Sequence, residues 1–325
     1  MAVADADPGR TPGTADLVVT GIGTVLPPEG HRHGDEWFDY RGELGPSGYK
    51  YVPQSSRYAL GAAKRALADA RLEPDEAAGR ECGVALASNN CASQMHGETD
   101  RAVLGRGLNG LRPTSAPFFS VNLFLSRLAI EHGLKGFSLA LHTPRVAGLE
   151  AIESGARAVA LGRASWLVAG VTEGPLDATE PEADRSEDGS VVLTMEPAGR
   201  AAGRGGREYG RVRARSFFLS PVAAARDGAD AARRLLTGAL AGTVHGDPAA
   251  GTGRVRLVAD ASPVADAVAA ALAGHGTVER TEAGPGALGA VVQVADALRG
   301  PAGTTLVVAA TGTGNVAVTR VVAAG

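Results

Sequence analysis

The sequence predicts an α/β protein built from two similar halves. Three observations carry this. Short apolar runs alternate with segments of helical periodicity, glycines close several of those segments, and the cycle restarts after Pro221. The chain has 325 residues, 44% hydrophobic and 21% charged, with a formal net charge of −3. That balance excludes wholesale disorder, and without a basic surplus nucleic acid is not an expected partner.

Leu17–Leu26 reads as a buried strand, broken by Gly21 and Gly23 and leading into a tight turn. Pro27–Pro53, rich in Gly, His and Pro, reads as a long loop. Ser55–Leu72 places Leu60, Ala63, Leu67 and Ala70 at helical spacing behind a serine N-cap. Cys82–Ala87 is a second buried strand. Pro117–His132 is a helix with Gly133 as its stop, and Phe137–Leu141 is a third strand. Val146–Leu161 is a helix ending at Gly162, followed by a strand at Ser165–Val171. Pro175–Gly189 is an acidic loop, and Ser190–Met195 is a strand. In Arg211–Phe218 arginines alternate with Val212 and Ala214, the period of a half-exposed strand. The second half then reads as a helix to Leu240, a strand at Val255–Ala259, helices at Val264–Leu272 and Gly284–Leu298, and strands at Thr304–Ala310 and Val316–Val322. A Gly-rich turn joins the last two. The expected organisation is a disordered tail over 1–16, one half over 17–198 and a shorter one over 199–325.

Several chemistries find no support. Gly21–Thr24 resembles the start of a dinucleotide loop, but Leu26 stands where the third glycine belongs, so a structural turn is expected. Cys91 lies near His96 in a polar stretch, with no adjacent cation to lower its pKa; a loop or pocket wall suits it better than nucleophilic work. Cys82 reads as core. His31, His33 and Asp35 lack a fourth ligand and read as a solvated loop. No metal and no cofactor are expected. No apolar run is long enough to cross a membrane and Met1–Ala15 lacks a signal-peptide core, so the expected location is cytoplasmic. Arg200, Arg204, Arg207, Arg211, Arg213 and Arg215 form a basic cluster, either a solvated loop or a docking patch for an acidic partner.

The order of segments resembles a β-ketoacyl synthase. The resemblance runs through VVTGIGTVLP at Val18–Pro27, SSRYALGAAKRALADARL at Ser55–Leu72, SAPFF at Ser115–Phe119, HGLKG at His132–Gly136 and AIESGARAVALGRASWLVAGVTEG at Ala151–Gly174. It continues more weakly in GPGALGAVVQVADALRG at Gly284–Gly300 and ATGTGNVAV at Ala310–Val318. It implies the thiolase fold: two pseudo-repeated halves in five αβαβα layers. The family's chemistry uses a cysteine at a strand-to-helix turn and two histidines. Counting back from Ala151, the cysteine position falls on Arg145, which cannot act as a nucleophile. The histidine positions fall near Ala261 and Arg280, and the gate residue of the last Gly-rich turn is Thr313.

That pattern resembles the chain-length factor of type II polyketide synthases, and among these the divergent, highly reducing, polyene-making kind. The resemblance implies a non-catalytic subunit in an antibiotic-type pathway. It would pair with an active ketosynthase and receive an acyl carrier protein, both subunits walling an acyl tunnel. Met95–Leu104 matches the tunnel region, with His96, Thr99, Asp100 and Val103 as chain-length residues beside Phe118 and Phe119. Two other readings stay open: an independent decarboxylase or acyltransferase on the same scaffold, using His275 or another residue, and a stand-alone binding protein or homodimer. Arg145 is expected inside the turn, paired with Glu173 or Asp260, because a buried unpaired guanidinium is costly.

Overall fold

Gly21 and Gly23 set the first packing step. Both lie within strand β1 (Leu17–Val25), with no turn at them, and both face helix α2 (Gln54–Asp69). A Cβ on Gly21 would stand 2.1 Å from the Ala66 carbonyl oxygen, and one on Gly23 would stand 1.8 Å from that of Ala62. Side-chain-free positions let the helix lie directly on the strand. The computed structural model describes residues 16–31, 36–73, 76–111, 113, 119–243 and 253–325. The tail expected over 1–16 lies outside these, Asp16 excepted, as do His33, Asp35, Phe118 and His245.

The first half continues with α1 (Tyr40–Leu44), α3 (Glu76–Glu81), β2 (Cys82–Ala87), α4 (Ser93–Arg106) and α5 (Leu123–Glu131). It closes with β3 (Ser138–Leu141), α6 (Ala147–Ala160), β4 (Trp166–Glu173) and β5 (Gly189–Pro197). A short α7 (Ala198–Gly203) leads to β6 (Gly210–Phe218), α8 (Pro221–Ala241), β7 (Arg254–Ala259), α9 (Pro263–Leu272) and β8 (Thr277–Glu282). The chain finishes with α10 (Leu288–Arg299), β9 (Gly303–Ala310) and β10 (Asn315–Ala323).

The strand order is β3-β2-β4-β5-β1 and then β6-β10-β9-β7-β8, so the second set repeats the first in reverse across a seam. The ladder across that seam is short, pairing Val18↔Arg211 and Val19↔Gly210. Helices occupy three layers. Tyr58, Leu60 and Ala63 of α2 and Leu125 and Leu128 of α5 pack on one outer side of the first strand set. Leu236 and Leu240 of α8 and Val264 and Val268 of α9 cover the outer side of the second. Leu149 and Ile152 of α6 and Val291 and Val294 of α10 lie between the two sets, touching strands of both. The result is five layers, αβαβα.

Several expectations shift. Pro53, not a serine, caps α2, and α1 stands inside the loop expected over Pro27–Pro53. The helix expected from Pro117 begins at Leu123 and ends, as expected, before Gly133, whose φ of +63° stops it. The helix after Pro221 carries a non-helical residue at Gly228, with φ +53°. Between the helices at Val264–Leu272 and Gly284–Leu298 stands the unexpected strand β8, an edge with almost every residue exposed.

Candidate functional site

The strand-to-helix elbow sits where β3 runs into α6. After Leu141 the chain turns through Thr143-Pro144-Arg145, and Val146 N–H donates to the Pro144 carbonyl at 2.8 Å. Arg145 has φ +61°, a left-handed conformation that costs a non-glycine residue about 1–3 kcal/mol and persists only when its surroundings enforce it. Asn89, just past β2, does the enforcing. Its Oδ1 accepts the Arg145 N–H at 3.0 Å, and its Nδ2 donates to the carbonyls of His142 at 3.0 Å and Thr143 at 3.4 Å.

The Arg145 side chain is only 15% exposed and is held by two carboxylates. Nη2 donates to Glu182 Oε2 at 2.7 Å and Oε1 at 3.0 Å, and Nη1 donates to Asp260 Oδ2 at 3.1 Å. Asp260 is therefore a partner as expected. Glu182, itself left-handed with φ +63°, takes the place expected of Glu173. The correction has a physical basis: Glu173 is fully buried behind the elbow and is already occupied. It accepts from Ser88 Oγ and from the N–H groups of Asn89, Asn90 and Ala287, at 2.7–3.1 Å.

Asp260 gathers the other positions. Ser262 Oγ donates to its Oδ1 at 2.6 Å, and the Gly312 N–H of the last turn donates to Oδ2 at 2.8 Å. Arg280 Nη2 donates to its carbonyl at 2.7 Å while Nη1 pairs with Asp266 at 2.9 Å. Ala261 follows Asp260 in the chain, and Thr313 sits in the turn that Gly312 belongs to. Arg145 thus binds the Asp260 carboxylate and Arg280 its carbonyl, while Ala261 and Thr313 adjoin Asp260 and Gly312 in the chain. Beside the carboxylate lies an open cavity of ≈ 760 Å³, lined by Asp260, Ala261, Ser262, Asp266, Arg280 and Glu282 among others.

Beneath the elbow, Glu173 is joined by Glu187, which accepts from the N–H groups of Leu288 at 3.3 Å and Gly289 at 2.9 Å. A Cβ placed on Gly286 would stand 2.5 Å from Glu187 Oε2 and 2.9 Å from Glu173 Cδ, so the two carboxyls crowd one point. Burial pushes Glu173 up to about 7, and the nearby Glu187 charge adds to that rise while hydrogen bonds from Asn89, Ala287 and Asn90 oppose it. Burial also raises Glu187, with the N–H groups of Gly289 and Leu288 and the charge of Arg145 pulling the other way. Sequence reasoning missed Glu187 and gave Glu173 a different role; the signal was two acids flanking a loop, with nothing local to mark them as buried.

The remaining candidates do not assemble into a catalytic set. His142 Nδ1 lies 2.5 Å from the Ser88 carbonyl oxygen, and its ring stands edge-on to Phe124. His275 lies in the turn before β8. Cys82 is wholly buried, and burial raises its thiol well above the ordinary range. Burial pushes the Cys91 thiol up to about 11, and its Sγ lies 3.8 Å from the Val121 carbonyl oxygen. The His96 ring stacks on Phe119 at 5.6 Å instead of serving Cys91. No metal-binding cluster exists among the described residues.

Four of the expected tunnel residues, His96, Thr99, Asp100 and Val103, share α4, a helix without a buried residue; Phe119 lies ahead of α5 instead, and Phe118 is outside the described residues. α4 is moored by Arg101, whose two nitrogens donate to Asp177 at 2.8 Å each. Thr99 lines a cavity of ≈ 360 Å³ with Met95, Ala102, Cys91, Val52 and Tyr51, and its Oγ1 donates to the Met95 carbonyl at 2.8 Å. Val103 is half-buried and Asp100 exposed. Around α4 and the free edge of β3, apolar side chains face outward: Leu104, Leu108, Phe119, Val121, Ile130 and Leu139. The basic cluster is largely committed inside the molecule. Arg200 and Arg204 both bind the buried Glu196, Arg207 lies over the Tyr209 ring, and Arg211 pairs with Asp16.

Residues 31–183 match the family profile of the β-ketoacyl synthase N-terminal domain. The chain is 32% identical over 117 residues to 3-oxoacyl-[acyl-carrier-protein] synthase 2 of Vibrio cholerae, covering 36% of this chain and 28% of that enzyme. It is 28% identical over 149 residues to the synthase of the same name from Rhizobium meliloti, covering 46% of this chain and 34% of that one. The match thus spans about a third of the length of these relatives. Among solved structures, the ishigamide ketosynthase/chain length factor superposes with a TM-score of 0.72 at 22% identity, covering 95% of this chain and all of that one. A type II polyketide synthase ketosynthase complexed with its acyl-carrier protein (AntDE:AntF) gives a TM-score of 0.72 at 15% identity, covering 96% of this chain and all of that one. The architecture is the thiolase fold of the ketosynthases. No helix among the described residues is long and apolar enough to cross a membrane.

Proposed function

We propose that this chain is a non-catalytic chain-length factor, pairing with an active ketosynthase and shaping the acyl tunnel during polyketide elongation. The observation that carries the reading is Arg145. It occupies the elbow in the strained conformation suited to presenting a nucleophile, yet its own side chain is a permanent cation tied to Glu182 and Asp260. Neither Ala261 nor Arg280 supplies an imidazole, so the decarboxylation half of the family's chemistry has no acid–base group there.

The partner is inferred from the edge of β3. The edge of β3, unpaired among the described residues, and the outward apolar side chains on α4 and α5 call for cover. A ketosynthase with an intact cysteine and two histidines is the proposed cover, with an acyl carrier protein delivering the growing chain to that subunit. The likeness to the ishigamide ketosynthase/chain length factor supports this pairing; the assignment to the highly reducing, polyene-making kind rests on the divergent segment pattern of the sequence alone.

The test is co-expression with such a ketosynthase. The two chains should purify as a heterodimer that condenses malonyl and acyl carriers, and this chain alone should form no product. Condensation by this chain alone would overturn the reading.

A further inference from the structure

The cavity of ≈ 360 Å³ between α4 and the start of α2 has a chemically one-sided wall. Val52, Ser55 and Pro175, all buried, build its inner end, and Met95 and Ala102 of α4 add apolar surface. The polar groups beside them have spent their hydrogens elsewhere. Ser55 Oγ donates to the Cys91 carbonyl at 2.8 Å, and Thr99 Oγ1 donates to the Met95 carbonyl at 2.8 Å. Each hydroxyl oxygen therefore has only acceptor lone pairs left for a guest. Arg57 is committed in the same way, donating from Nε to the Tyr49 carbonyl at 3.1 Å, from Nη2 to the Lys50 carbonyl at 2.9 Å and from Nη1 to Glu36. The Lys50 ammonium stands at the exposed mouth, 5.3 Å from the centre of the Tyr51 ring.

Gln54 carries the pattern furthest. It lines the same cavity, and its Oε1 is enclosed by protein with no hydrogen-bond donor. An enclosed carbonyl oxygen without a donor is costly, and a guest that brings one removes the cost. A chain end of hydrocarbon alone, pressed against this wall, would leave Gln54 as it is. A hydroxyl there would donate to it. Sites with an acceptor waiting for a hydroxyl discriminate strongly against the analogue that lacks it.

We propose, on the basis of the acyl-tunnel reading above, that this cavity selects an acyl chain whose far end bears a hydroxyl. The hydroxyl donates to Gln54 Oε1, and the adjoining methylenes pack on Val52, Met95 and Ala102. No bond is made or broken; the cavity sorts chains by the chemistry of their ends as well as by their length.

Hexan-1-ol and 1-methoxypentane test this. They are isomers of equal size with one oxygen each, and only the alcohol can donate. Titration calorimetry on this chain, alone and paired with the ketosynthase, should show the alcohol binding about fivefold tighter, the discrimination that one added hydrogen bond supplies. Gln54→Leu should bring the two affinities together, and Gln54→Glu, which keeps an acceptor, should retain the preference. Thr99→Trp should abolish binding of both, which places them in this cavity. Equal affinities in the parent, no binding of either compound, a preference that survives Gln54→Leu, or binding that survives Thr99→Trp would each overturn the proposal. Selective binding in a heterodimer whose product length Thr99→Trp leaves unchanged would keep the hydroxyl site and overturn the chain-length reading alone.

Discussion

Arg145 Nη1 and Asp260 Oδ2 lie 3.1 Å apart, and this contact ties the elbow of the first half to the loop that follows β7 in the second. Asp260 in turn holds the last Gly-rich turn through Gly312 N–H. One ion pair therefore links three segments that a ketosynthase would use for chemistry. The contact acts as a cross-strut between the two halves.

Arg145→Cys should not create a working enzyme. The new thiol would sit at the elbow, but Ala261 and Arg280 offer no histidine to stabilise an enolate. Glu182 and Asp260 would lose their shared cation. Both are partly exposed, so the loss should be about 1–3 kcal/mol, below the cost of breaking a fully buried pair. Urea unfolding and mass spectrometry after incubation with an acyl carrier check the two halves of the prediction. A variant as stable as the parent that loads an acyl chain would sink the strut.

The Glu173–Glu187 pair sets a pH dependence. Glu173 titrates at about 7 in the folded chain and near 4.5 when exposed, so the folded state binds the extra proton in between. Stability from this group is complete below about pH 4.5 and declines as pH rises through 7, at up to about 1.4 kcal/mol per pH unit for one proton. Glu187→Gln should flatten that decline, leaving the variant more stable than the parent at pH 8. Unfolding measured between pH 5 and 8 decides; parallel curves for the two proteins would remove the pair from the account.

Most of the scaffold is legible in the sequence because its strands are continuous apolar runs and α2, α6, α9 and α10 bury one clear face. The failures share a cause. β8, with Thr277, Glu279, Arg280 and Glu282 exposed, has no apolar alternation to betray a strand. α4 buries nothing within the chain, so its helical character shows only as spacing. At the site, Arg145 and Asp260 were legible from order and count. Glu182 was not, since a left-handed acid in an acidic loop has no pattern, and the burial of Glu173 depends on α10 arriving from more than 100 residues away.

Gly23→Ala should be severe. The added Cβ would meet the Ala62 carbonyl oxygen at 1.8 Å and the Ala66 nitrogen at 2.5 Å, both backbone atoms of a packed helix that cannot swing aside. Gly199→Ala, in α7 with nothing within 4 Å, should be neutral or slightly stabilising. Soluble yield and Tm of the two variants should diverge widely. Near-equal values would mean that β1 and α2 do not make this close approach.

Thr99→Trp and Val103→Trp test the acyl tunnel, and with it the chain-length reading. Thr99 faces the ≈ 360 Å³ cavity between α4 and the start of α2, and an indole would occupy much of that space. Val103, one turn further along on the same face of α4, is half-buried. Neither change touches the Arg101–Asp177 mooring, so α4 should hold its place. The expected outcome is an intact heterodimer by gel filtration and a product shorter by one or more extension units by mass spectrometry. Heterodimers of both variants that release product of unchanged length would move the length-setting wall away from α4.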